Sequence, residues 1–85
     1  MKLLKFYGTY CSPCKVLTNA ISEAKFKEEF KIESYNVEEE FELTEQYRVK
    51  SVPTCVLLDN ANKEIKRWVG TFNVKDELKE FIKND

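Results

Sequence analysis

The sequence predicts an α/β fold with a four-stranded mixed sheet, helices on both faces and the element order β-α-β-α-β-β-α. Three observations lead to this prediction. Short apolar runs typical of strands are separated by segments whose apolar residues recur every three or four positions, as on one face of a helix. The first two predicted strands are joined by a helical crossover, which makes neighbouring strands parallel. Only a short turn separates the last two, which favours an antiparallel hairpin.

The first half of the chain predicts strand, helix, strand. Lys2–Tyr7 is apolar and is followed by Gly8, which indicates a strand and then a loop. We expect a helix from about residue 11 to residue 30. Its apolar stripe consists of Cys14, Leu17, Ile21 and Ala24, widened by Val16 and Ala20. Residues 31–37 alternate in polarity and predict the second strand.

The second half predicts helix, hairpin, helix. Residues 38–47 begin with acidic side chains, which suit a helix N-terminus. Thr54–Leu58 is β-branched and apolar, as in a strand covered on both faces. After a turn at residues 60–62, Glu64–Val69 alternates in polarity and completes the hairpin. Asn73 is the expected N-cap of the last helix. The apolar stripe of that helix is Val74, Leu78, Phe81 and Ile82.

Length and charge limit the possible functions. A chain of 85 residues is too short for two cores, so residues 1–85 are expected to form a single domain. The formal net charge is −1, and the lysines of residues 75–83 alternate with Glu and Asp, so no nucleic-acid partner is expected. The apolar run at the start is too short for a signal peptide, and none reaches the length of a membrane span. We therefore expect a cytoplasmic protein without a membrane partner.

Two cysteines, Cys11 and Cys14, stand where the first strand passes into the first helix. At a helix N-terminus, free backbone N–H groups and the helix dipole favour thiolate over thiol. Cys11, at the entrance, is expected to be more exposed and to attack a substrate disulfide. Cys14, one turn further and facing inward, would resolve the mixed disulfide. Between them, Pro13 lacks an N–H and stiffens the first turn at little cost.

Other uses of the cysteines are less well supported. A disulfide that closes so short a loop removes little entropy from the unfolded chain, so a purely structural bridge is disfavoured. A structural zinc site takes four ligands, whereas the chain has no histidine and three cysteines. We expect no metal and no cofactor beyond the redox-active disulfide, although a metal or iron–sulfur cluster shared by two chains through Cys11 stays open. Cys55 lies in a predicted buried strand and is interpreted as a core residue.

The motifs of the chain resemble those of thioredoxins and the shorter glutaredoxin-like members of that superfamily. The resemblance rests on "YCSPCK", on "YRVKSVPTCVLL" and on "RWVGTF", in that order, and covers nearly the whole chain. It implies a minimal thioredoxin-like fold and a disulfide reductase that acts as an electron carrier. By resemblance, Cys11 is the nucleophile, Cys14 is the resolving cysteine, and Pro53 follows a cis peptide bond and packs opposite the pair.

The resemblance also implies a substrate groove. Its lining would be Tyr10, Val52, Gly70 and Thr71, and the Val52 backbone would offer strand-like hydrogen bonds to an extended substrate segment. Without the resemblance, Pro53 would simply begin a strand, where proline is tolerated.

Three positions differ from the common thioredoxin pattern and are expected, with Pro13, to modulate the pair. Tyr10 stands where thioredoxins commonly have Trp, Ser12 where they have Gly, and Lys5 where they have a buried acid. If Lys5 is buried near the cysteines, its charge favours thiolate and desolvation lowers its own pKa. The alternative is that Lys5 points to solvent or pairs with a glutamate such as Glu33.

Two other functions stay open. A glutaredoxin-like reductase would bind glutathione, but "VGTFNVKD" lacks the Gly-Gly turn and the Ser/Cys-Asp pair usual at that site, which favours protein disulfides as substrates. A non-catalytic interaction module would keep its role without the thiols. The expected partners are proteins with disulfides, ribonucleotide reductase being one candidate, and an upstream reductase or glutathione. The chain itself is expected to be a monomer.

Overall fold

A computed structural model describes residues 1–83, so the last two residues of the predicted 1–85 domain lie outside the described residues. The predicted order of elements is confirmed. The elements are β1 (Lys2–Tyr7), α1 (Ser12–Glu23), β2 (Lys31–Asn36), α2 (Phe41–Gln46), β3 (Thr54–Leu58), β4 (Glu64–Val69) and α3 (Val74–Glu77), with a turn of 3₁₀-helix at Lys79–Phe81.

The four strands form one mixed sheet in the order β2-β1-β3-β4. β1 is parallel to β2 and antiparallel to β3, and β3 and β4 form the antiparallel hairpin, as the sequence predicts. The ends of β1 and β2 therefore lie at the same edge of the sheet as the beginning of β3. In the register, Phe6 is opposite Thr54 and Tyr7 is opposite Asn36. This edge brings the loop after β1 next to the segment that precedes β3.

The core has two parts because both faces of the sheet are covered. Side chains of β1 alternate between them, with Leu3 on the side of α1 and α3, and Leu4 and Phe6 on the side of α2. β3 is buried along its whole length, as predicted for a central strand. Each large apolar side chain buried in this way contributes roughly 1.5–3 kcal/mol.

The first helix is shorter than predicted. It ends at Glu23, and Ala24 has extended backbone angles rather than continuing to residue 30. Phe26 forms a β-bridge with Ile82, and Phe30 stacks between Phe26 and Phe81, with ring centroids 4.9 and 4.7 Å apart. The apolar residues of 24–30 are therefore buried by distant aromatic contacts and not by a helix face.

The last helix is also shorter than predicted. Its cap is confirmed, because the Asn73 side chain accepts a hydrogen bond from the backbone N–H of Asp76 at 3.2 Å. Val74 and Leu78 are buried as expected, but α3 ends at Glu77 and Ile82 belongs to the bridge with Phe26. The predicted helical stripe therefore holds only for its first half.

The segment between β2 and α2 differs from the prediction at both ends. β2 ends at Asn36 rather than at residue 37, and α2 begins at Phe41 rather than at residue 38. The Asn36 carbonyl accepts hydrogen bonds from the backbone N–H groups of Glu39 and Glu40, at 3.0 and 2.8 Å. Glu38 and Glu39 therefore belong to a turn before α2, and Glu42 is the acidic residue in its first turn.

We expect truncation of a side chain in the aromatic stack to cause a large loss of stability. Because Phe30 is 6% exposed and stacked on both faces, Phe30→Ala should lower the free energy of unfolding by about 3 kcal/mol, measured by urea denaturation. Phe41→Ala is the matched control, since Phe41 is 66% exposed, and should change it by less than about 0.5 kcal/mol. Equal losses in the two variants would contradict the assigned role of the stack.

Candidate active site

The cysteine pair lies at the beginning of α1. Cys11 is the N-cap residue, and its Sγ accepts a hydrogen bond from the backbone N–H of Cys14 at 3.2 Å. The two residues are joined by a disulfide bond, with their Cα atoms 5.2 Å apart. Cys11 is partly exposed, whereas Cys14 is buried at 4% exposure, which confirms the predicted difference between them. The sulfur at the surface is thus the one that an incoming disulfide meets first.

The two residues between the cysteines form the first turn of the helix. Ser12 and Pro13 are exposed and occupy the first two helical positions. A helix leaves its first N–H groups unpaired, so a proline here loses no hydrogen bond. Pro13 therefore restricts the backbone between the cysteines without weakening α1.

The loop before Cys11 is anchored to the end of β2. The Thr9 hydroxyl donates a hydrogen bond to Glu38 at 2.8 Å and accepts one from the Asn36 side-chain amide at 3.1 Å. The Asn36 side-chain oxygen in turn accepts a hydrogen bond from the Glu38 backbone N–H at 2.9 Å. These anchors were missed in the sequence, where only their position after two parallel strands would have indicated them. Next to this anchored residue, Tyr10 is 99% exposed.

The segment before β3 borders the cysteine loop. The Val52–Pro53 peptide bond is cis, as expected, and Pro53 is buried. A Cβ atom placed on Gly8 would lie 3.3 Å from the Val52 side chain and 3.8 Å from the Cβ of Cys11. Val52 and Cys11 therefore flank the same glycine.

The residues after β4 complete this surface. The Gly70 backbone N–H donates a hydrogen bond to the Pro53 carbonyl at 2.8 Å, and its φ of +91° is one that glycine adopts readily. Thr71 follows it and is exposed. The structure thus ties Gly70 to the proline segment, while the part that each residue plays in substrate binding stays a prediction.

Lys5 is buried on the α1 side of the sheet. Lys5 is 7% exposed. Its Nζ donates a hydrogen bond to the Thr18 hydroxyl at 2.8 Å and lies 5.7 Å from the centre of the Tyr7 ring. Its neighbour in the register on β3 is Cys55. Thr18 was missed in the sequence, although it lies one helical turn from Cys14 on the same face of α1.

The alternative pairing of Lys5 with Glu33 is wrong. Glu33 is aligned with Leu4 in the parallel register, so it projects on the opposite face of the sheet from Lys5. There it lies 3.6 Å from the Lys2 ammonium group and accepts a hydrogen bond from the Tyr35 hydroxyl at 2.7 Å. That hydrogen bond is the largest of the effects that raise the pKa of Tyr35 to about 12.

Burial shifts the pKa values of Lys5 and Cys55 in opposite directions. Desolvation lowers the pKa of Lys5 below its usual 10.5, and the nearby Cys55 opposes this only in part. Desolvation likewise raises the pKa of the Cys55 thiol to about 12, although the charge of Lys5 acts to lower it. Cys55 is fully buried and unpaired, in agreement with its interpretation as a core residue.

A cleft of about 340 Å³ opens beside the disulfide. Its lining consists of Tyr7, Gly8, Thr9, Cys11, Cys14, Lys15, Thr18 and Asn36. The cleft therefore gives solvent and small groups access to both cysteines and to the hydroxyl that holds Lys5.

Residues 1–83 contain neither a cluster of metal ligands nor a helix that could span a membrane. No three His, Cys, Asp or Glu side chains in this part of the chain lie together in a way that would hold a metal ion. None of the helices described there has both the length and the apolar character needed to cross a membrane.

Comparisons with known proteins agree with these motifs. The family model described as Thioredoxin matches residues 1–84. A thioredoxin of Mycoplasmoides gallisepticum is 32% identical over 82 residues, covering 95% of this chain and 80% of the relative. A prophage-derived thioredoxin-like protein of Bacillus subtilis is 30% identical over 83 residues, covering 98% and 96%. Thioredoxin 1 of Thermosipho africanus has a structure that matches with a TM-score of 0.79 at 30% identity, covering 93% of this chain and 88% of that one.

We expect replacement of the buried lysine to make the oxidised protein more stable. Lys5→Met should raise the free energy of unfolding at pH 7 by about 1 kcal/mol, because the interior no longer has to desolvate an ammonium group. Burial places the folded-state pKa of Lys5 below that of the unfolded chain. The gain is therefore complete below the folded-state pKa and disappears as the pH rises towards 10.5, where unfolded lysine also loses its charge.

Urea denaturation of the oxidised protein over a series of pH values measures this gain. Lys15→Met is the control, since Lys15 is exposed, and should change the free energy of unfolding by less than about 0.5 kcal/mol. A Lys5→Met protein that is less stable than the parent at pH 7 would show that the charge is stabilising.

Proposed function

The chain belongs to the thioredoxin family of thiol–disulfide oxidoreductases, and we propose that it reduces disulfide bonds of other proteins with Cys11 as the nucleophile and Cys14 as the resolving cysteine. One observation carries the proposal. A disulfide at the N-terminus of α1 has one partly exposed sulfur and one buried sulfur. This asymmetry gives the two thiols different roles once they are reduced.

The first step forms a mixed disulfide. In the reduced protein, Cys11 Sγ is a thiolate at the helix N-terminus, where the free N–H groups and the helix dipole stabilise its charge. It attacks one sulfur of the substrate disulfide, so that a Cys11–substrate bond forms and the substrate S–S bond breaks. The other substrate sulfur leaves as a thiolate and takes a proton from solvent.

The second step releases the substrate. Cys14 Sγ loses its proton and attacks Cys11 Sγ, which forms the Cys11–Cys14 disulfide and expels the second substrate sulfur as a thiolate. The geometry supports this step, because the two residues are bonded while α1 keeps its first turn, with Cα atoms 5.2 Å apart. The substrate gains two electrons from the cysteine pair and two protons, one taken from solvent in the first step and one that replaces the proton released by Cys14.

The substrate segment is proposed to lie between Tyr10 and the proline segment. Tyr10 offers an almost fully exposed aromatic ring for apolar contact. Val52 contacts the glycine that also lies close to Cys11, so its backbone is suitably placed to pair with an extended chain. Gly70 and Thr71 would border the opposite side, because Gly70 is hydrogen-bonded to Pro53.

The oxidised pair must be reduced again before another cycle. We propose that an upstream reductase or glutathione does this in the cytoplasm, and that ribonucleotide reductase is one candidate acceptor of the electrons. Family membership supports protein disulfides as the substrates, since thioredoxins act on them. The chain is proposed to act as a monomer without a cofactor beyond its own disulfide.

Serine substitutions test the two roles. Cys14→Ser should accumulate a covalent adduct between Cys11 and a disulfide-containing substrate protein, because nothing resolves it, and turnover should fall at least about a hundredfold. Non-reducing electrophoresis and mass spectrometry detect the adduct. Cys11→Ser should form none, and Cys55→Ala should keep the parent turnover because that thiol is fully buried. The absence of an adduct in both serine variants, or full turnover without Cys14, would contradict the proposal.

Truncation of Tyr10 tests the proposed groove. Tyr10→Ala should lower kcat/KM for a protein disulfide about tenfold, which corresponds to the loss of one exposed aromatic contact. With hydroxyethyl disulfide, which has no polypeptide segment to lie along the groove, the change should stay within about twofold. Phe41→Ala is the control for an exposed aromatic outside the groove. A similar loss with both substrates would mean that Tyr10 acts on the cysteines and not on the protein substrate.

A further inference from the structure

Lys5 is a buried ionisable group that the exchange steps above do not use. With 7% exposure, its side chain lies inside the protein on the α1 side of β1. Its Nζ donates to the Thr18 hydroxyl at 2.8 Å. Among the residues that the structure describes, no carboxylate lies within ion-pair distance of it. A desolvated ammonium group without an anion is costly, so an anion that formed near Lys5 would be stabilised by its charge.

The groups around Lys5 identify where that anion arises. On β1 the nearest ring is that of Tyr7, and on β3 the register partner is Cys55, while on β2 the register partner is Ser34, which carries no charge. Burial raises the pKa of the Cys55 thiol to about 12, so Cys55 stays neutral at physiological pH. Further ionisable groups in this region are on α1, where Cys11 and Cys14 line the same cleft as Thr18.

Of these two cysteines, Cys14 is the nearer to Thr18, because it stands one helical turn before it. Side chains four residues apart on a helix lie on the same face, with Cβ atoms about 5–6 Å apart. Cys14 and Thr18 also line the same cleft. Thr18, whose hydroxyl binds the ammonium group of Lys5, and Cys14 therefore lie on the same face of α1. In the oxidised protein the Cys14 sulfur is part of the disulfide and has no charge.

We propose that Lys5 is a positioning residue for the resolving step: its ammonium group, held by the Thr18 hydroxyl, favours the thiolate of Cys14 once the disulfide is opened. This inference rests on the proposed function, because it concerns the cysteine that resolves the mixed disulfide. When the Cys14 Sγ–H bond breaks, the proton passes to water in the cleft that Cys14 lines. After the thiolate attacks Cys11 Sγ, the departing substrate sulfur takes up one proton, and the balance is restored.

The proposal has a consequence for the redox equilibrium. Burial lowers the pKa of Lys5, and an anion close to its ammonium group would act in the opposite direction. The charged form stabilises an anion that exists only in the reduced protein. Lys5 therefore shifts the equilibrium towards the reduced form and makes the disulfide easier to reduce than it would be with a neutral residue at this position.

A thiolate titration without substrate tests the proposal independently of the proposed function. In a Cys11→Ser, Cys55→Ala background, Cys14 is the sole cysteine, and its thiolate is followed by ultraviolet absorbance against pH. Addition of Lys5→Met should move the midpoint up by about one pH unit or more. Lys5→Arg should restore it in part by returning the charge, and Thr18→Val should raise it by removing the link. Lys15→Met is the matched control, because Lys15 lines the same cleft but is exposed, and should have a smaller effect.

Three results would overturn the proposal. These are an unchanged midpoint in Lys5→Met, an equal rise in Lys5→Met and Lys5→Arg, and an equal rise in Lys5→Met and Lys15→Met. Where Lys5→Arg does not fold, equilibration of the intact Cys11–Cys14 pair with glutathione replaces it. The Lys5→Met equilibrium should then lie about tenfold further towards the disulfide, and no change would overturn the proposal. Failure of the proposed function would appear instead as a missing Cys14→Ser adduct, with the titration unaffected.

Discussion

The burial of β1 on both faces is the constraint on which the rest of the structure depends. This strand pairs with β2 and β3 and contributes side chains to both parts of the core. Its central position fixes where the chain leaves the sheet, and therefore where α1 begins. It also leaves the side chain of Lys5 without an exposed side. Lys5 is therefore buried against α1, the helix that carries the cysteines. The thiol chemistry and the hydrophobic core thus share one element.

The sequence predicted the elements whose structure depends on local pattern. The bounds of β1, β3 and β4 were predicted correctly, because short apolar or alternating runs end at glycine, proline or turn residues. The ends of α1 and α3 were wrong, since Phe26 and Ile82 meet across more than half of the chain. Apolar residues at helical spacing look the same in a sequence whether they are buried by a helix face or by distant partners. Only the tertiary structure distinguishes the two cases.

The candidate site divides in the same way. The difference in exposure between Cys11 and Cys14 follows from helix geometry and was predicted. The surroundings of Lys5 follow from sheet register, which a single sequence does not specify. Because Leu4 and not Lys5 is aligned with Glu33, the glutamate lies on the other face, and Thr18 becomes the partner instead. The hydrogen bonds of Thr9 to Asn36 and Glu38 likewise depend on the register of two parallel strands.

The reactive sulfur also serves as the cap of the helix that carries it. Cys11 Sγ accepts the backbone hydrogen bond of Cys14, so removal of this atom leaves an N–H group in the first turn without its acceptor. Serine offers an oxygen in nearly the same place and is among the preferred N-cap residues, whereas alanine at an N-cap costs about 1 kcal/mol. The residue chosen to replace Cys11 therefore affects the stability of α1 as well as the chemistry. Serine silences the nucleophile while preserving the helix start, and alanine would confound lost chemistry with a frayed helix.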